Sequence, residues 1–587
     1  MFYDERFRGL TRRDIRKDFI AGITVGIVAI PLGMAFAIAS GVNPEYGLYT
    51  TIIAGILVAL FGGSRFQIAG PTGAFIPILL AVVLQYGYEN LLIAGMLAGI
   101  LLIFMGIFKI GGLIKFIPRS VTIGFTAGIG VIIFTGQIEN FFGLENVEKK
   151  TYFHENMLEL ARQAHTFNFY SILTAIIGLA CIIIIPRIAP KVPLLLAALI
   201  VPTVIAMIFY PNKLETIGTA YGGIPNSLPA FQFPEITLDK IMLLWKPAFV
   251  IAFLGVIESL LSAVVADGMT GKRHNSNREL IGQGIANVVT PLFGGIPATG
   301  AIARTATNIK SGARSPLSGV FQGVFVFITL LLFAPYAAYI PLASMAPILM
   351  IVAWNMSERK QFWQILKLKK GDSLVLIVTF LLTVFVNLTV AVEIGLLLAM
   401  LSFIIRMSRS LDIEKMIPKQ PAQDMPQDYI IANQNCSQFD IYTIEGPLFF
   451  GTAAKFEQTL NRVIYRKPKI LLLRMDRVPF IDATGENNLA TLVHNFQKSG
   501  GIILVSGISE QPFTILKSSG LYEKIGSERI FKTTEEAIAY GTVLLQDHLC
   551  KSCMQKKFTQ CRAFQNVKQS PQLIAEKVTK RVETYQN

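Results

Sequence analysis

Apolar runs of membrane-spanning length recur through the first 409 residues of this 587-residue chain. An α-helix needs about 20 mostly apolar residues to cross the hydrocarbon core of a bilayer. Runs close to that length lie at 19–39, 46–62, 91–110, 117–136, 168–186, 192–210, 246–267, 279–294, 317–335, 340–355, 372–389 and 390–408. This pattern predicts an α-helical membrane domain over residues 19–409, preceded by a charged N-terminal segment at residues 1–18.

Two further segments are interrupted by glycine and proline, at 62–77 (GGSRFQIAGPTGAFIP) and 294–319 (GGIPATGAIARTATNIKSGARSPLSG). Glycine is conformationally permissive and proline removes a backbone donor, so each segment predicts extended backbone followed by a half-helix. The start of a half-helix presents unpaired N–H groups and a partial positive charge. Secondary transporters hold anions at such termini. The alternative, two re-entrant loops with only a packing role, stays open.

The two interrupted segments, near 67–85 and 297–312, raise the predicted number of spans to fourteen. Short connections at 40–45, 86–90, 295–300, 335–341 and 386–391 contain no Lys or Arg, whereas the connections on the other side carry many. Because cytoplasmic loops are enriched in Lys and Arg, both termini are predicted to be cytoplasmic. The breaks fall in the third and tenth spans, seven apart, which predicts a 7+7 inverted repeat.

Composition agrees with a membrane protein, since 52% of the residues are hydrophobic and 16% are charged. The net charge of +15 sits in clusters between apolar runs, so we expect no nucleic-acid partner. His548, Cys550, Cys553 and Cys561 do not have a standard zinc spacing, and we expect free thiols and no metal there. No nucleotide-binding P-loop occurs, and we expect neither a cofactor nor enzymatic chemistry.

A change of composition follows Arg409. Residues 410–428 contain three prolines and predict a linker. Residues 429–546 alternate strand-like and helix-like patterns, which predicts a small cytoplasmic α/β domain. Residues 547–587 form a polar tail.

Several motifs resemble one family, the sulfate permease (SulP, solute carrier family 26) anion transporters. They are IPLGMAFAIASGV (30–42), GPTGAF (70–75), ESLLSAVVADGMTG (258–271) and GGIPATGAIARTATNIKSGA (294–313), followed by a domain that resembles STAS. The sequences of these motifs are most similar to those of the bacterial C4-dicarboxylic acid transporter type. The resemblance implies a 7+7 inverted repeat with core and gate domains, a homodimer in the cell membrane, and a small anion such as sulfate, bicarbonate or a dicarboxylate as substrate.

The candidate substrate-binding groups lie at the starts of the two half-helices. They are the N–H groups of Gly73, Ala74, Phe75, Gly300, Ala301 and Ile302, with the hydroxyls of Thr72 and Thr299. Backbone N–H groups at a helix start suit an oxyanion. Each threonine has a simpler explanation, which is that it only caps its helix.

Glu258 is the candidate coupling residue because an acid inside a membrane span is costly and therefore a functional candidate. Ser262 follows one helical turn later on the same face. The resemblance ties this acidic position to cation coupling, and Glu with Ser favours a proton over sodium. The alternative is a neutral Glu258 hydrogen-bonded to a neighbouring helix. Arg304 either adds positive potential at the site, pairs with Glu258, or extends towards the cytoplasm.

Thr484 matches the position of a phosphorylated serine in anti-sigma factor antagonists, and is the candidate regulatory residue. Its simpler explanation is helix capping. The favoured function is proton-coupled anion symport by alternating access. An uncoupled anion channel and an anion-sensing receptor that signals through the STAS-like domain are the alternatives.

Overall fold

The computed structural model describes residues 4–112, 118–189, 192–226, 230–367, 370–416, 438–466 and 468–545. The chain divides into two compact units, Met1–Ala399 and Met400–Asn587. The predicted tail, with Cys550, Cys553 and Cys561, lies outside the described residues, as does most of the predicted linker.

Helices dominate the first unit, and the last of them, α18, continues across the unit boundary. In chain order they are α1 Arg12–Ala39, α2 Pro44–Phe61, α3 Ile76–Tyr86, α4 Tyr88–Ile107, α5 Arg119–Gly136, α6 Ile138–Phe142, α7 Phe153–Arg162, α8 Phe169–Ile188, α9 Leu194–Phe209, α10 Ile217–Tyr221, α11 Leu238–Thr270, α12 Ser276–Val289, α13 Ile302–Lys310, α14 Leu317–Ala337, α15 Leu342–Met356, α16 Arg359–Leu366, α17 Lys370–Phe385 and α18 Leu388–Arg409.

Each of the fourteen predicted segments coincides with a helix. In the described part of the chain, eight helices have the length and apolar composition to cross a membrane. Three shorter apolar helices, at Gly73–Tyr86, Leu194–Phe209 and Gly371–Phe385, add to them. The remaining predicted segments correspond to α12, α13 and α15. Of these, α12 and α13 contain several charged and polar residues, and α15 is an apolar helix of 15 residues.

Glycines bring helix backbones into direct contact. A Cβ atom on Gly99 would lie 2.7 Å from the Gly284 carbonyl oxygen, so α4 and α12 touch along their backbones. A Cβ on Gly124 would lie 2.6 Å from the Leu376 carbonyl oxygen, which places α5 against α17 in the same way. Small residues permit this close approach between helices in membranes. The helices pack in two groups, α1–α4 with α11–α14, and α5, α8 and α9 with α15 and α17.

The N-terminal segment is tied to the end of α2. The Arg6 guanidinium, 6% exposed, donates to the Leu60 carbonyl oxygen at 2.7 Å and to those of Ala59 and Ser64 at 3.3 Å. These bonds satisfy carbonyls that a helix end leaves without partners. Asp4 pairs with Arg6 at 2.9 Å and also with Arg278 of α12. We call this group of Asp4, Arg6 and Arg278 the N-terminal clasp.

The second unit is an α/β domain. Its strands are β3 Asp412–Met416, β4 Phe439–Glu445, β5 Ile470–Arg477, β6 Ile502–Ser506 and β7 Ile530–Phe531, and its helices are α19 Ala453–Arg466, α20 Ala483–Lys498, α21 Glu510–Ser518, α22 Leu521–Ile525 and α23 Thr534–Val543. The sheet order is β3-β4-β5-β6-β7, with β3 antiparallel and the other pairs parallel. Alternate residues of β5 enter opposite cores, Leu471 and Leu473 on one face, Ile470 and Leu472 on the other.

One element differs from the expected linker. Residues 412–416 form β3, an edge strand that pairs with β4. Leu411 before it is fully buried in the core of this domain. The strand is only five residues long and a proline-rich stretch follows it closely. Its short alternation of apolar and polar residues is therefore difficult to distinguish from a linker in the sequence.

Candidate anion site

The two interrupted segments meet in the first unit as a pair of very short strands. β1 (Ala69–Gly70) pairs antiparallel with β2 (Thr299–Gly300), with Ala69 opposite Gly300 and Gly70 opposite Thr299. A 3-10 turn at Gly73–Phe75 leads into α3, and α13 begins at Ile302. The starts of both half-helices therefore lie within a few residues of one crossing, as the sequence predicts.

The crossing uses several of the predicted backbone donors. The N–H of Gly300 donates to Ser259 Oγ at 3.1 Å, and that of Ala301 to the Ile68 carbonyl oxygen at 2.8 Å. The N–H of Phe75 donates to the Thr72 carbonyl oxygen at 3.2 Å. These three N–H groups are therefore engaged inside the protein. Pairing between distant segments cannot be read from either segment alone, so the sequence did not reveal it.

Other N–H groups at the two helix starts remain free. Within the described residues, those of Gly73 and Ala74 donate to no protein acceptor. The same holds for Ile302 and Ala303 in the first turn of α13. Helix starts leave such donors unpaired, and they are the backbone groups that an anion can reach here.

The two candidate threonines are in different environments. Thr299 Oγ1 is hydrogen-bonded to Ser259 Oγ at 2.7 Å and is fully buried. Thr72 Oγ1 is also buried, but has no hydrogen-bond partner among the described residues. Neither hydroxyl caps a helix: Thr72 makes no side-chain cap bond, and the residue before α13 is Ala301. Most buried hydroxyls in proteins are hydrogen-bonded, and Thr72 is one of four residues in the described part of the chain, with Ser40, Thr290 and Thr379, whose buried hydroxyl lacks a protein partner.

Arg304 is buried against the same loop. The side chain is 2% exposed, and its Nη2 donates to the Pro71 carbonyl oxygen at 2.5 Å. Its Nη1 is buried without an acceptor in the described structure. A Cβ on Gly70, whose φ is 152°, would lie 2.7 Å from this Nη1. The guanidinium therefore lies over residues 70–71, next to Thr72, and does not extend to solvent.

Glu258 and Ser262 both lie on the buried part of α11. Glu258 is 9% exposed and has neither a hydrogen bond nor an ion pair within the described residues, so the two alternatives, an ion pair with Arg304 and a hydrogen bond to a neighbouring helix, are not formed. Ser262 Oγ instead donates to Thr305 Oγ1 at 3.1 Å, which ties α11 to α13. Thr305 Oγ1 also accepts from the Ile68 N–H at 3.0 Å.

Sequence reasoning missed the side chains that hold the crossing in place. Ser259 binds both Thr299 and Gly300, and Gln67 Nε2 donates to the Ser259 carbonyl oxygen at 3.0 Å. Asn287 Oδ1 accepts from the Ala298 N–H and Asn287 Nδ2 donates to the Ala298 carbonyl oxygen, both at 2.8 Å.

The sequence of α12 contains a pattern that could have revealed some of these supporting residues. Glu279, Gln283 and Asn287 recur every four residues and are buried, so they form one polar stripe along the helix. Glu279 Oε2 accepts from the N–H groups of Gly63 at 2.8 Å and Ser64 at 2.9 Å. Such a stripe in a membrane segment indicates polar partners, here the loops that lead into the interrupted helices.

Thr484 in the second unit is exposed in the first turn of α20. The cap of this helix is Asp482, whose Oδ1 accepts from the Gly485 N–H at 2.8 Å. The simpler explanation for Thr484, that its hydroxyl caps α20, therefore does not hold.

The helical unit with its broken-helix crossing, followed by an α/β unit, defines a multi-pass membrane protein with a C-terminal α/β domain. Residues 15–379 match the sulfate permease family and residues 432–537 match the STAS domain. The putative sulfate transporter YvdB of Bacillus subtilis is 53% identical over 91% of this chain and 99% of its own length. The bicarbonate transporter BicA of Picosynechococcus is 30% identical over 92% and 96%, respectively. The chain belongs to the sulfate permease family.

A solved structure supports the fold over both units. The overall structure of SLC26A9 superimposes with a TM-score of 0.80 and covers 93% of this chain and 92% of its own, at 19% sequence identity. The predicted fold class, a helical membrane protein with a C-terminal STAS domain, is therefore confirmed.

Proposed function

We propose that this protein is a secondary active anion transporter of the cell membrane. Relatives over almost the whole chain are named as sulfate and bicarbonate transporters, which supports a small oxyanion as substrate. Sulfate and bicarbonate are the first candidate substrates, because these relatives are named for them. C4-dicarboxylates are a further candidate because of the resemblance of the motifs. We further propose fourteen membrane crossings as a 7+7 inverted repeat with both termini in the cytoplasm, and a homodimer.

The observation that carries this proposal is the set of unpaired donors around residues 70–74. Thr72 Oγ1 and Arg304 Nη1 are both buried without a protein acceptor. The free N–H groups of Gly73, Ala74 and Ile302 lie at the adjoining helix starts. An oxyanion placed among them accepts hydrogen bonds from groups that otherwise have no partner, and it lies next to one positive charge.

This set of donors suits a carrier because it binds the substrate weakly enough for release. A helix start contributes up to about 2 kcal/mol to a partly buried charge. Two helix starts, one hydroxyl and a guanidinium that is already bonded to Pro71 give a site that both binds and releases. In this proposal the anion moves when the group containing α3 and α13 shifts against the group containing α5 and α15.

The coupling ion in this proposal is a proton carried by Glu258. A buried carboxylate with no partner is costly as an anion and less so when protonated. Ser262 donates its hydroxyl hydrogen to Thr305, so its Oγ still has a lone pair for a cation. Sodium is therefore tested beside the proton.

Thr484 is proposed as a phosphorylation site, where a phosphate at the exposed helix start would add a charge of about −1.5 to −2.

The test is uptake by the full-length protein in liposomes. Labelled sulfate, bicarbonate and succinate are supplied under an inward proton gradient, and then under an inward sodium gradient. We expect uptake of at least one anion, driven by protons and lost in Glu258→Gln. Glu393→Gln is the matched control, because Glu393 is a carboxylate on α18 that is exposed at the surface.

Two results would contradict the proposal. Uptake that needs neither a proton gradient nor a sodium gradient, and that greatly exceeds the rates of carriers, would indicate a channel. Binding of an anion without uptake under either gradient would indicate a receptor. Gradient-driven uptake that survives Glu258→Gln would leave transport standing but would remove Glu258 from the coupling step.

A further inference from the structure

An open cavity on the first unit lies beside α16, the short helix between α15 and α17. Its lining includes Trp354, Glu358, Arg359, Lys360 and Trp363. Both α15 and α17 coincide with predicted membrane spans, so we expect the eight-residue helix between them to lie near the level of the lipid headgroups. The predicted orientation places this level on the cytoplasmic side.

Two tryptophans give this surface its apolar part. Trp354 is 49% exposed and Trp363 is 63% exposed, so both indole rings reach the surface of the protein beside the cavity. The opposite side of α16 is anchored, because the Phe362 ring packs edge-on against Phe380 with centroids 5.5 Å apart. Tryptophan is enriched where membranes meet water, since its ring is apolar and its N–H is polar.

Two cations lie among these rings. The Arg359 guanidinium stacks on the Trp354 ring with its central carbon 3.4 Å from the ring centroid. Neither Arg359 nor Lys360 has an ion-pair partner within the described residues. A guanidinium held flat on an indole keeps its N–H edge available for a phosphate.

The charge around the cavity is positive. Arg119 adds a third cation close by, because its Nη2 donates to Gln361 Oε1 at 2.8 Å. The cavity lining contains one carboxylate, Glu358. Three cations against one anion, beside exposed rings at headgroup depth, fit a partner that is negative at one end and apolar at the other.

We propose that this surface binds the headgroup of an anionic phospholipid in the cytoplasmic leaflet. The phosphate contacts Arg359 and Lys360, and the glycerol and upper acyl chains lie along the two indole rings. Basic residues near a membrane surface attract anionic lipids. The inference requires only that α15 and α17 cross the membrane, and does not depend on which anion is transported.

The tryptophans supply the measurement. The chain has three tryptophans, so Trp245→Phe leaves only Trp354 and Trp363 as reporters. The full-length variant is placed in phosphatidylcholine nanodiscs that contain a small fraction of either brominated phosphatidylglycerol or brominated phosphatidylcholine, whose bromines quench nearby indoles. We expect stronger quenching by brominated phosphatidylglycerol at the same mole fraction. Each basic residue removed is expected to weaken this preference about fivefold.

Matched substitutions locate the effect. Arg359→Gln with Lys360→Gln is expected to abolish most of the preference, whereas Lys272→Gln with Arg273→Gln, an exposed basic pair in the loop after α11, is expected to retain it. Arg359→Lys keeps the charge but loses the stacked plane, and is expected to give an intermediate preference. Equal quenching of the Trp245→Phe protein by both brominated lipids would overturn the proposal. It would also fail if the Arg359/Lys360 pair and its control behaved alike, or if millimolar inorganic phosphate removed the preference.

Discussion

Thr72→Val and Thr299→Val are the same chemical change at two residues that the sequence places in equivalent positions. The structure gives the two hydroxyls opposite roles. Thr72 Oγ1 is buried with no protein partner in the described residues, whereas Thr299 Oγ1 bonds to Ser259 Oγ at 2.7 Å. We therefore expect Thr72→Val to change anion affinity without loss of stability, and Thr299→Val to lower stability first.

The magnitudes follow from these contacts. Removing an unpaired buried hydroxyl should leave the free energy of unfolding unchanged or raise it by up to about 1 kcal/mol. A hydrogen bond to a charged partner is worth about 1.5–3 kcal/mol, so Thr72→Val should raise KM roughly 10- to 150-fold. Thr299→Val takes a partner from the buried Ser259 hydroxyl, and should cost about 1–2 kcal/mol of stability.

The assay combines thermal unfolding in detergent with concentration-dependent uptake in liposomes, using the anion that the uptake test identifies. A Thr72→Val protein with normal KM would show that this hydroxyl does not touch the anion. A Thr299→Val protein with unchanged stability would show that the bond to Ser259 contributes nothing, and would remove the reason for treating the two threonines differently.

Three other predictions concern the support of the site. Gly70→Ala should lower stability by about 1–3 kcal/mol and raise KM, because its φ of 152° is a conformation that side chains rarely adopt and its Cβ would meet the buried Arg304 Nη1 at 2.7 Å; Gly136→Ala, with open space at its Cβ, is the uptake and unfolding control. Glu279→Gln should lower the free energy of unfolding by about 1–2 kcal/mol, since one of its buried oxygens becomes a donor; an unchanged thermal midpoint would contradict this. Burial acts to raise the pKa of Asp4, but the hydrogen bonds from Arg6 and Arg278 together outweigh it and hold this pKa below its ordinary value of 3.8. The stability that Asp4 adds is therefore present above that value, so the thermal midpoint of the natural protein should exceed that of Asp4→Asn equally from pH 8 to 5, and the difference should shrink below pH 4.

Much of the fold follows from patterns that extend over many residues. Apolar runs, glycine breaks and Lys/Arg placement predict the helices and the two interrupted segments, because a lipid environment leaves the backbone few alternatives to helix. Alternating strand and helix patterns similarly predict the C-terminal domain. The short strand at residues 412–416 was not predicted, because five residues beside a proline-rich stretch are too few to show the periodicity of a strand.

The site was predicted less completely. The two loops meet and Arg304 lies against the first of them, which is one of the three placements that the sequence left open, but which N–H groups remain free depends on pairing across the crossing. The donation from Gly300 to Ser259 removes one predicted donor, and its partner is 41 residues away in the chain. The Arg304 guanidinium likewise donates to the Pro71 carbonyl oxygen and not to an acid, and Pro71 is 233 residues away in the chain.

The crossing of β1 and β2 also sets an order of assembly during synthesis. Ile68 bonds to Thr305, 237 residues later, so the first interrupted segment cannot complete its pairing until the ribosome has passed that point. At about 5–20 residues per second this interval lasts roughly 10–50 s. During that time the backbone groups of residues 68–70 are in or near the membrane without their final partners. A chain that stops before residue 299 would therefore lack β2 and Thr305, and its residues 68–70 would keep backbone groups without these partners.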